Sequence, residues 1–481
     1  MYEYALTPHA LDAGKAGMLI ALIFFIFLAH QVIITVGYLG LNLIALTTIR
    51  NSTRGGRDYY MPRIYEKNLP GVSVILTAYN EEDLIATSVK SLLQTNYPLL
   101  EILVVHDGGT DRTMEIMIKE FEMTPYPVAF RYEVPCAEIK AVYRSKKYST
   151  LTLIDKVNAR SKADAINAGI NLARYPLFSS LDADSVLERD SLMRVMRLFL
   201  ENPDTIAAGG TVRIVNGCQV RDGNLIKTDL PRTTLAKLQV LEYLRAFHFG
   251  RLAWSKLHAL LIISGAFGVY RRDAVVSVGG YYSKSLGEDM DLIVRLHKHY
   301  IKKREAYTIS FVPDPVCWTD APEDLATLKK QRVRWQRGLL EVLSEHRSLC
   351  FNPHAGTVGW LAYPFMVIVE AMGPIMEVLG LIFTLVLYFL GYIHPTAALL
   401  LITVSIGFGL MLSASSLLLE ERSFHVYPSY RNTLSLFMWA VLENFGYRQM
   451  ITWWRLIGTW RWLVGSEFTW GAMKRNTSWT K

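Results

Sequence analysis

The sequence predicts an α/β domain carried between membrane-spanning helices at its two ends. Three features predict it. From about residue 70 to 320, short apolar runs alternate with helical patterns, and each run stops abruptly at polar or acidic residues, as in an α/β sheet that binds ligand at the carboxyl ends of its strands. No charged side chain falls between Lys15 and Arg50, and no Asp, Glu, Lys or Arg falls from Val378 to Leu419. A chain of 481 residues, 51% hydrophobic and 20% charged, with mean hydropathy +0.19, fits such a split. That composition excludes disorder and a small disulfide scaffold.

At the N-terminus the apolar core from Met18 to Leu46 exceeds the roughly 20 residues needed to cross a bilayer. It is also longer than the 7 to 15 apolar residues, roughly, of a cleaved signal peptide, so a retained anchor is expected. Arg50, Arg54, Arg57, Arg63 and Lys67 crowd its exit, against Lys15 alone before it. This places the region after residue 50 in the cytoplasm.

Within the α/β region, Val72 to Thr77, Ile102 to Val105 and Leu177 to Leu181 read as strands. Residues 131 to 157, with Lys140, Arg144, Lys146 and Lys147, read as an insertion, and Lys237 to Leu261 as an amphipathic helix at the membrane face. After Gly356 the second apolar region is broken at Gly391 to Pro395 into two bilayer-length halves, a helical hairpin. The stretch from Leu434 to Met450 contains Glu443 and Arg448, so it either packs inside a bundle or does not cross fully. Trp453, Trp454, Trp460 and Trp462 beside Arg455 and Arg461 read as an interfacial helix or an ordinary packed one. The expected organisation is an anchor at 1–50, a cytoplasmic α/β domain at 51–325, an interfacial helix region at 326–355, transmembrane and interfacial helices at 356–464, and a cytoplasmic tail at 465–481.

Lysine and arginine total 51 against 43 acidic residues, a formal charge of +8. The excess is modest and gathers at the bilayer junctions and on the helix carrying Arg332, Arg334 and Arg337, which fits orientation and diphosphate binding and excludes a nucleic-acid binder. Cys136, Cys218, Cys317 and Cys350 show no close-pair spacing, so neither a zinc site nor a disulfide framework is expected.

The strand ends carry the chemistry. The first run closes in Thr77-Ala78-Tyr79-Asn80-Glu81 and the second in His106-Asp107-Gly108-Gly109. Either segment alone also reads as a turn. The third ends in Asp182-Ala183-Asp184, two carboxylates able to share a hard cation that bridges diphosphate oxygens. Its alternative is a cap by Asp184 or Ser185 for a helix near Val186. Gly287-Glu288-Asp289 opens a helix, where acidic residues serve the dipole or one acts as a general base. Gln331, Arg334 and Trp335 recur at i, i+3 and i+4 on one helical face, so one ligand touches all three, Arg334 clamping phosphate and Trp335 offering a flat platform.

Taken in order, these motifs resemble the D, DxD, ED, QxxRW series of family 2 glycosyltransferases, and with the flanking helices the chain looks like their membrane-integrated, processive branch of cellulose, hyaluronan, chitin and poly-N-acetylglucosamine synthases. Ser161-Lys162-Ala163-Asp164 is similar to the family's lysine-bearing helix, and Ser264-Gly265-Ala266 to its acceptor-side segment. The resemblance implies a GT-A fold with a mixed, mostly parallel sheet. It implies an inverting transfer from a UDP-sugar, UDP-N-acetylglucosamine or UDP-glucose first, to a growing β-linked polysaccharide.

By the same resemblance, Thr77, Tyr79, Glu81, Asp107, Lys162, Asp182, Gln331 and Arg334 bind the donor. Asp182 and Asp184 hold Mg²⁺ or Mn²⁺, Asp289 with Glu288 beside it is the catalytic carboxylate, and Trp335, Ser264 and Gly265 meet the acceptor. A lipid-linked acceptor with single-sugar transfer is the nearest competitor, and a non-catalytic nucleotide-binding or export protein a more distant one. The implied setting is the bacterial inner membrane, with room for accessory subunits or an oligomer. The sequence departs from the pattern at His106, where many relatives carry a second aspartate, and at Gly287, where cellulose synthases carry threonine. Glu370, Glu377, Glu443 and Arg448 either line a polar path or pair within the bundle.

Overall fold

The computed structural model describes residues 15–54, 68–424, 426–427 and 429–466. Arg57, Arg63 and Lys67 of the basic cluster, and Lys474, Arg475 and Lys481 of the expected tail, lie outside the described residues.

Twelve strands run in chain order as β1 (Val72–Ala78), β2 (Leu100–His106), β3 (Met123–Pro125), β4 (Ile139–Ser145), β5 (Leu151–Lys156), β6 (Leu177–Asp182), β7 (Ser185–Leu187), β8 (Thr205–Ile214), β9 (Gln219–Arg221), β10 (Asn224–Lys227), β11 (Phe267–Arg271) and β12 (Thr308–Thr319). Strands β9 and β10 form a separate hairpin, and the rest form one sheet in the order β3-β4-β5-β2-β1-β6-β11-β8-β12-β7. Its centre, β5-β2-β1-β6, is parallel, β8 pairs parallel with β12, and β4, β11 and β7 run against the common direction. The sheet is thus mixed and mostly parallel.

Every residue of β2, and every residue of β1 except Thr77, is buried. Their near-continuous apolar runs reflect helices on both faces. Glu101 in buried β2 is tolerated because its carboxylate accepts from Ser73 Oγ at 2.5 Å and Arg174 Nε at 2.7 Å. Residues 131 to 157 are not an insertion: β5 pairs with β2 in parallel, from Ile102 beside Leu151 to His106 beside Asp155. The basic residues of β4 obscured an apolar run, Leu151-Thr152-Leu153-Ile154, that belongs to the central sheet.

The N-terminal helix Lys15–Arg54 contains an apolar stretch, Gly17–Arg50, long enough to cross a bilayer, with Met18, Leu22, Val36 and Leu43 facing outward. Apolar on all sides, it fits a membrane anchor. It docks through Tyr38 Oη, which donates to Glu370 at 2.5 Å, and His30 Nε2 against the Ile368 carbonyl at 3.0 Å. The segments Val358–Ala371 and Gly373–Phe389 meet at a 46° bend, where Gly373 and Pro374 interrupt the helical hydrogen-bond ladder. After the turn at Gly391 (φ +74°) the chain returns along Pro395–Ser423, as the expected hairpin does. The stretch from Leu434 onward is two helices, Tyr430–Leu442 and Tyr447–Leu463, broken before Gly446 (φ +101°), and so makes no single crossing. Trp454 of the second is buried while Trp453 and Trp460 are exposed, so that helix is both packed and outward-facing.

The amphipathic segment is helical from Thr234 to Lys256, with a π-helical stretch at Ala246–Arg251. Three ion pairs fasten the sheet domain and this segment to the C-terminal helices: Arg213–Glu420, Arg245–Glu443 and Arg332–Glu242. The first is almost fully buried, its side chains 2% and 4% exposed. Removing one partner of such a pair strands the other charge, at about 3–5 kcal/mol. Glu420→Ala is therefore expected to lower the thermal unfolding midpoint of the full chain in detergent far more than removal of an exposed charge such as Glu201→Ala, as read by a fluorescence melt.

Candidate active site

Parallel pairing sets the acidic strand ends side by side. Thr77 of β1 lies beside Asp182 of β6 on one flank and Val105 of β2 on the other, with His106 and Asp107 next along. The loops beyond are knitted together. Glu81 N donates to Thr113 Oγ1 at 2.9 Å, Glu82 N to Asp111 Oδ2 at 2.9 Å, and Thr110 N to Asn80 Oδ1 at 2.8 Å. Tyr79 projects outward from this rim, whereas Glu81 and Asp107 are buried.

Asp107 is held by Lys156, a fully buried lysine at the end of β5 that also pairs with Asp164 at 2.8 Å. Burial raises the Asp107 carboxyl above the ordinary aspartate range, with Lys156 pulling against that rise. Lys156 went unremarked in the sequence because its strand was read as part of an insertion, and Asp164 was noted only within the lysine-bearing helix. The alternation ending at Lys156 was the available signal.

The centre of the site is the Lys162 ammonium at the start of the helix Lys162–Leu172. It pairs with Asp182 and donates to the Gly265 carbonyl at 2.8 Å. The amide N of the same Gly265 donates to Asp289 Oδ2 at 3.2 Å. One residue therefore joins the cation-binding pair to the expected base. Burial disfavours the charged ammonium, yet Asp182, Glu288 and Asp289 outweigh it and hold the Lys162 pKa above the usual lysine value. Burial and the neighbouring Asp289 raise the Glu288 carboxyl, against Arg334 and Lys162. Asp289 is the more open of the two, its Oδ1 taking the Met290 N–H at 2.9 Å.

The expected helix over Leu292 to His299 spans Glu288–Lys303, with Glu288, Asp289 and Asp291 in its first turn, where the dipole favours carboxylates. Asp184 and Ser185 do not cap a helix: Ser185–Leu187 is β7, and Asp184 is buried with Oδ1 accepting from Thr319 Oγ1 at 3.3 Å. Ser264 adjoins Gly265, its Oγ facing Ala266 N at 3.4 Å.

On the helix Leu325–Glu345, Gln331, Arg334 and Trp335 lie on the more open face, and Arg332, Val333, Gln336 and Arg337 are buried. Of the three arginines expected to serve a diphosphate, only Arg334 faces the acidic site. Arg332 pairs with Glu242 and stacks over Trp335, 4.3 Å from the ring centre, while Arg337 donates to the Ser466 carbonyl at 2.6 Å. Trp335 remains 44% exposed, a free aromatic face.

This helix is pressed against the one bearing Asp289. A Cβ on Gly338 would stand 2.9 Å from Gly287 N and 3.0 Å from its Cα, closer than carbon tolerates, and one on Gly287 would meet Gly338 at 3.2 Å. Close backbone approach thus accounts for glycine in place of threonine at 287. A turn further on, His346 Nε2 meets Asp291 Oδ1 at 2.9 Å while Arg295 Nε meets Asp291 Oδ2 at 2.7 Å. Asp291, Glu345 and His346 bring ligand-type atoms within 4.8 Å of one another, but with both Asp291 oxygens engaged they form an ion-paired joint between the helices.

Glu370 and Arg448 line a cavity of about 350 Å³ together with Tyr38, Asn42, Arg245 and Arg251. Glu443 and Glu377 are instead paired, Glu443 with Arg245 and Ser413 and Glu377 with Thr452. Burial lowers Arg251 to about 10, and the Asp289 charge that opposes this links the cavity to the site.

Gly338→Ala forces backbone apart at the junction of the two helices, a steric cost of roughly 1–3 kcal/mol. It is expected to depress the unfolding midpoint accordingly, whereas Gly373→Ala, whose Cβ would meet nothing within 4 Å, spares that midpoint such a clash.

The sequence matches the family described as glycosyltransferase like family 2 over residues 70–338, more than half of the chain. It is 29% identical over 282 residues to a poly-β-1,6-N-acetyl-D-glucosamine synthase of Staphylococcus aureus (strain MSSA476), covering 59% of this chain and 58% of that protein. It is 29% identical over 277 residues to the synthase of the same name in Staphylococcus epidermidis, covering 58% and 56%. The match thus spans less than two thirds of these relatives' length. The mannosyltransferase PcManGT of Pyrobaculum calidifontis, solved with GDP-Man and Mn²⁺, shares the fold at a TM-score of 0.52 and 18% identity, over 92% of this chain and all of that one. The chain belongs to the family 2 glycosyltransferases.

Proposed function

We propose that this protein transfers a sugar from a UDP-sugar to a growing β-linked polysaccharide with inversion at the anomeric carbon. The observation that carries this reading is the continuous chain of contacts from Asp182 through Lys162 and Gly265 to Asp289, which links the proposed diphosphate end to the proposed base. The relatives named as poly-β-1,6-N-acetyl-D-glucosamine synthases make UDP-N-acetylglucosamine the first donor to try.

In this mechanism the donor's nucleoside lies at the ends of β1 and β2, against Thr77, Tyr79, Glu81 and Asp107. The acceptor rests on Trp335 beside Ser264 and Gly265. Asp289 takes the proton of the acceptor hydroxyl as its oxygen bonds to the anomeric carbon. The bond from that carbon to the diphosphate oxygen breaks, its electron pair leaving with UDP. Attack opposite the leaving group turns an α-linked donor into a β-linkage. Lys162, Arg334 and Gln331 face the departing diphosphate, positive charge placed where negative charge develops.

Asp182 and Asp184 form an oxygen-only donor set suited to Mg²⁺ or Mn²⁺. The ion pair of Asp182 with Lys162 supports this reading, since that carboxylate already faces positive charge. Such a cation supplies neutralisation of the leaving diphosphate.

The cavity lined by Tyr38, Arg251, Glu370 and Arg448 gives the acceptor chain a route along the membrane helices. The N-terminal helix anchors the enzyme, with the sheet domain on the cytoplasmic face of the inner membrane.

The decisive experiment supplies the purified chain in nanodiscs with Mn²⁺ or Mg²⁺ and a panel of UDP-sugars, and measures UDP release and product mass. A ladder of products spaced by one sugar is expected, and a lipid bearing a single sugar as the only product contradicts polymerisation. Asp289→Asn is expected to lower turnover by at least about 100-fold with UDP affinity within about threefold of wild type, checked by titration calorimetry. Trp335→Ala is expected to raise the acceptor KM several-fold while the metal dependence of turnover stays unchanged, checked by steady-state kinetics with a soluble oligosaccharide acceptor.

A further inference from the structure

We propose that His106, with its proton on Nδ1 and its Nε2 lone pair turned to Gly109, is the positioning residue that sets the shape of the donor loop. The inference rests on the reading above that Asp107 and its loop hold the nucleoside of the donor.

The direction of two hydrogen bonds carries it. Gly109 N lies 3.1 Å from His106 Nε2, and a backbone N–H can only donate, so Nε2 must present its lone pair. The remaining proton therefore sits on Nδ1, which faces Asp155 Oδ1 at 2.9 Å. Asp155 orients the ring from β5, and the ring in turn draws Gly109 back over the end of β2. The loop between them needs that tether. Gly108 sits at φ +61°, and a Cβ there would stand 2.9 Å from Asn158. From the other side Asn80, itself at φ +55°, accepts from Thr110 N at 2.8 Å. Asp107 N donates to the Ala78 carbonyl at 3.0 Å, and the two tethers shape the turn that leaves from it, Gly108 to Thr110.

Among the described residues the charged groups around the ring are Asp155 on β5, hydrogen-bonded to it, and the network of Lys156, Asp107 and Asp164. The ring therefore spans from β5 to the loop, with one nitrogen held and the other holding.

The test uses the full chain in detergent with Mn²⁺ and UDP as the probe. Glutamine places a carbonyl oxygen near the Nε2 position, and alanine supplies no acceptor. His106→Gln is expected to bind UDP within about threefold of wild type and His106→Ala roughly fivefold more weakly than wild type, as one lost hydrogen bond implies. Wild-type affinity in His106→Ala, or an equal loss in the two variants, overturns the inference while leaving the donor assignment standing. Absence of UDP binding by wild type overturns the donor assignment, and the inference with it.

Discussion

One ammonium group organises the candidate site. Lys162 sits where Asp182, Glu288 and Asp289 would otherwise repel one another, and with its side chain 16% exposed its charge is only partly screened by water. Its hydrogen bond to the Gly265 carbonyl fixes the peptide whose amide holds Asp289. The acidic motifs lie roughly a hundred residues apart in sequence, and this single side chain makes them one electrostatic unit. In the proposed mechanism such a unit receives a diphosphate at one end and keeps a carboxylate available as a base at the other.

Around this unit the fold supplies two kinds of rigidity. The parallel strands β5, β2, β1 and β6 deliver their ends in register, and Lys156 beneath Asp107 repeats the logic of Lys162 one strand over, a buried cation shared by two carboxylates. The helices Glu288–Lys303 and Leu325–Glu345 are locked by the Gly287–Gly338 approach and by Asp291 with His346. Arg334 and Trp335 thereby share a rigid frame with Asp289. The ion pairs Arg213–Glu420, Arg245–Glu443 and Arg332–Glu242 continue that frame into the C-terminal helices, so the base, the aromatic platform and the cavity near the anchor hold constant positions relative to one another.

Much of this was legible in the sequence, because the residues that mark strand ends are those that carry chemistry. Val72 to Thr77 and Leu177 to Leu181 are apolar runs with abrupt acidic stops, and both became strands ending within a residue of the expected place. What escaped were features fixed by long-range pairing. β5 hid behind the basic residues of β4, and with it went Lys156, buried at the end of that strand's alternation. Arg332 stands two residues before Arg334, and at 3.6 residues per turn that puts it on the opposite side of the helix with Glu242, while Arg337, a turn beyond Arg334, is taken by the Ser466 carbonyl. Gly287 looked like a departure from a motif and is a consequence of Gly338, some fifty residues later. His106 likewise gains meaning only beside Asp155 and Gly109.

The central claim is that Lys162 and Asp289 act as one unit through Gly265. The most direct measurement is a double-mutant cycle on single-turnover transfer, comparing Lys162→Ala, Asp289→Asn and the chain carrying both. Residues that act as a unit are strongly non-additive, so the doubly substituted protein is predicted to be no more than about threefold slower than the slower single variant. Losses that multiply would contradict the account and make the two residues independent contributors.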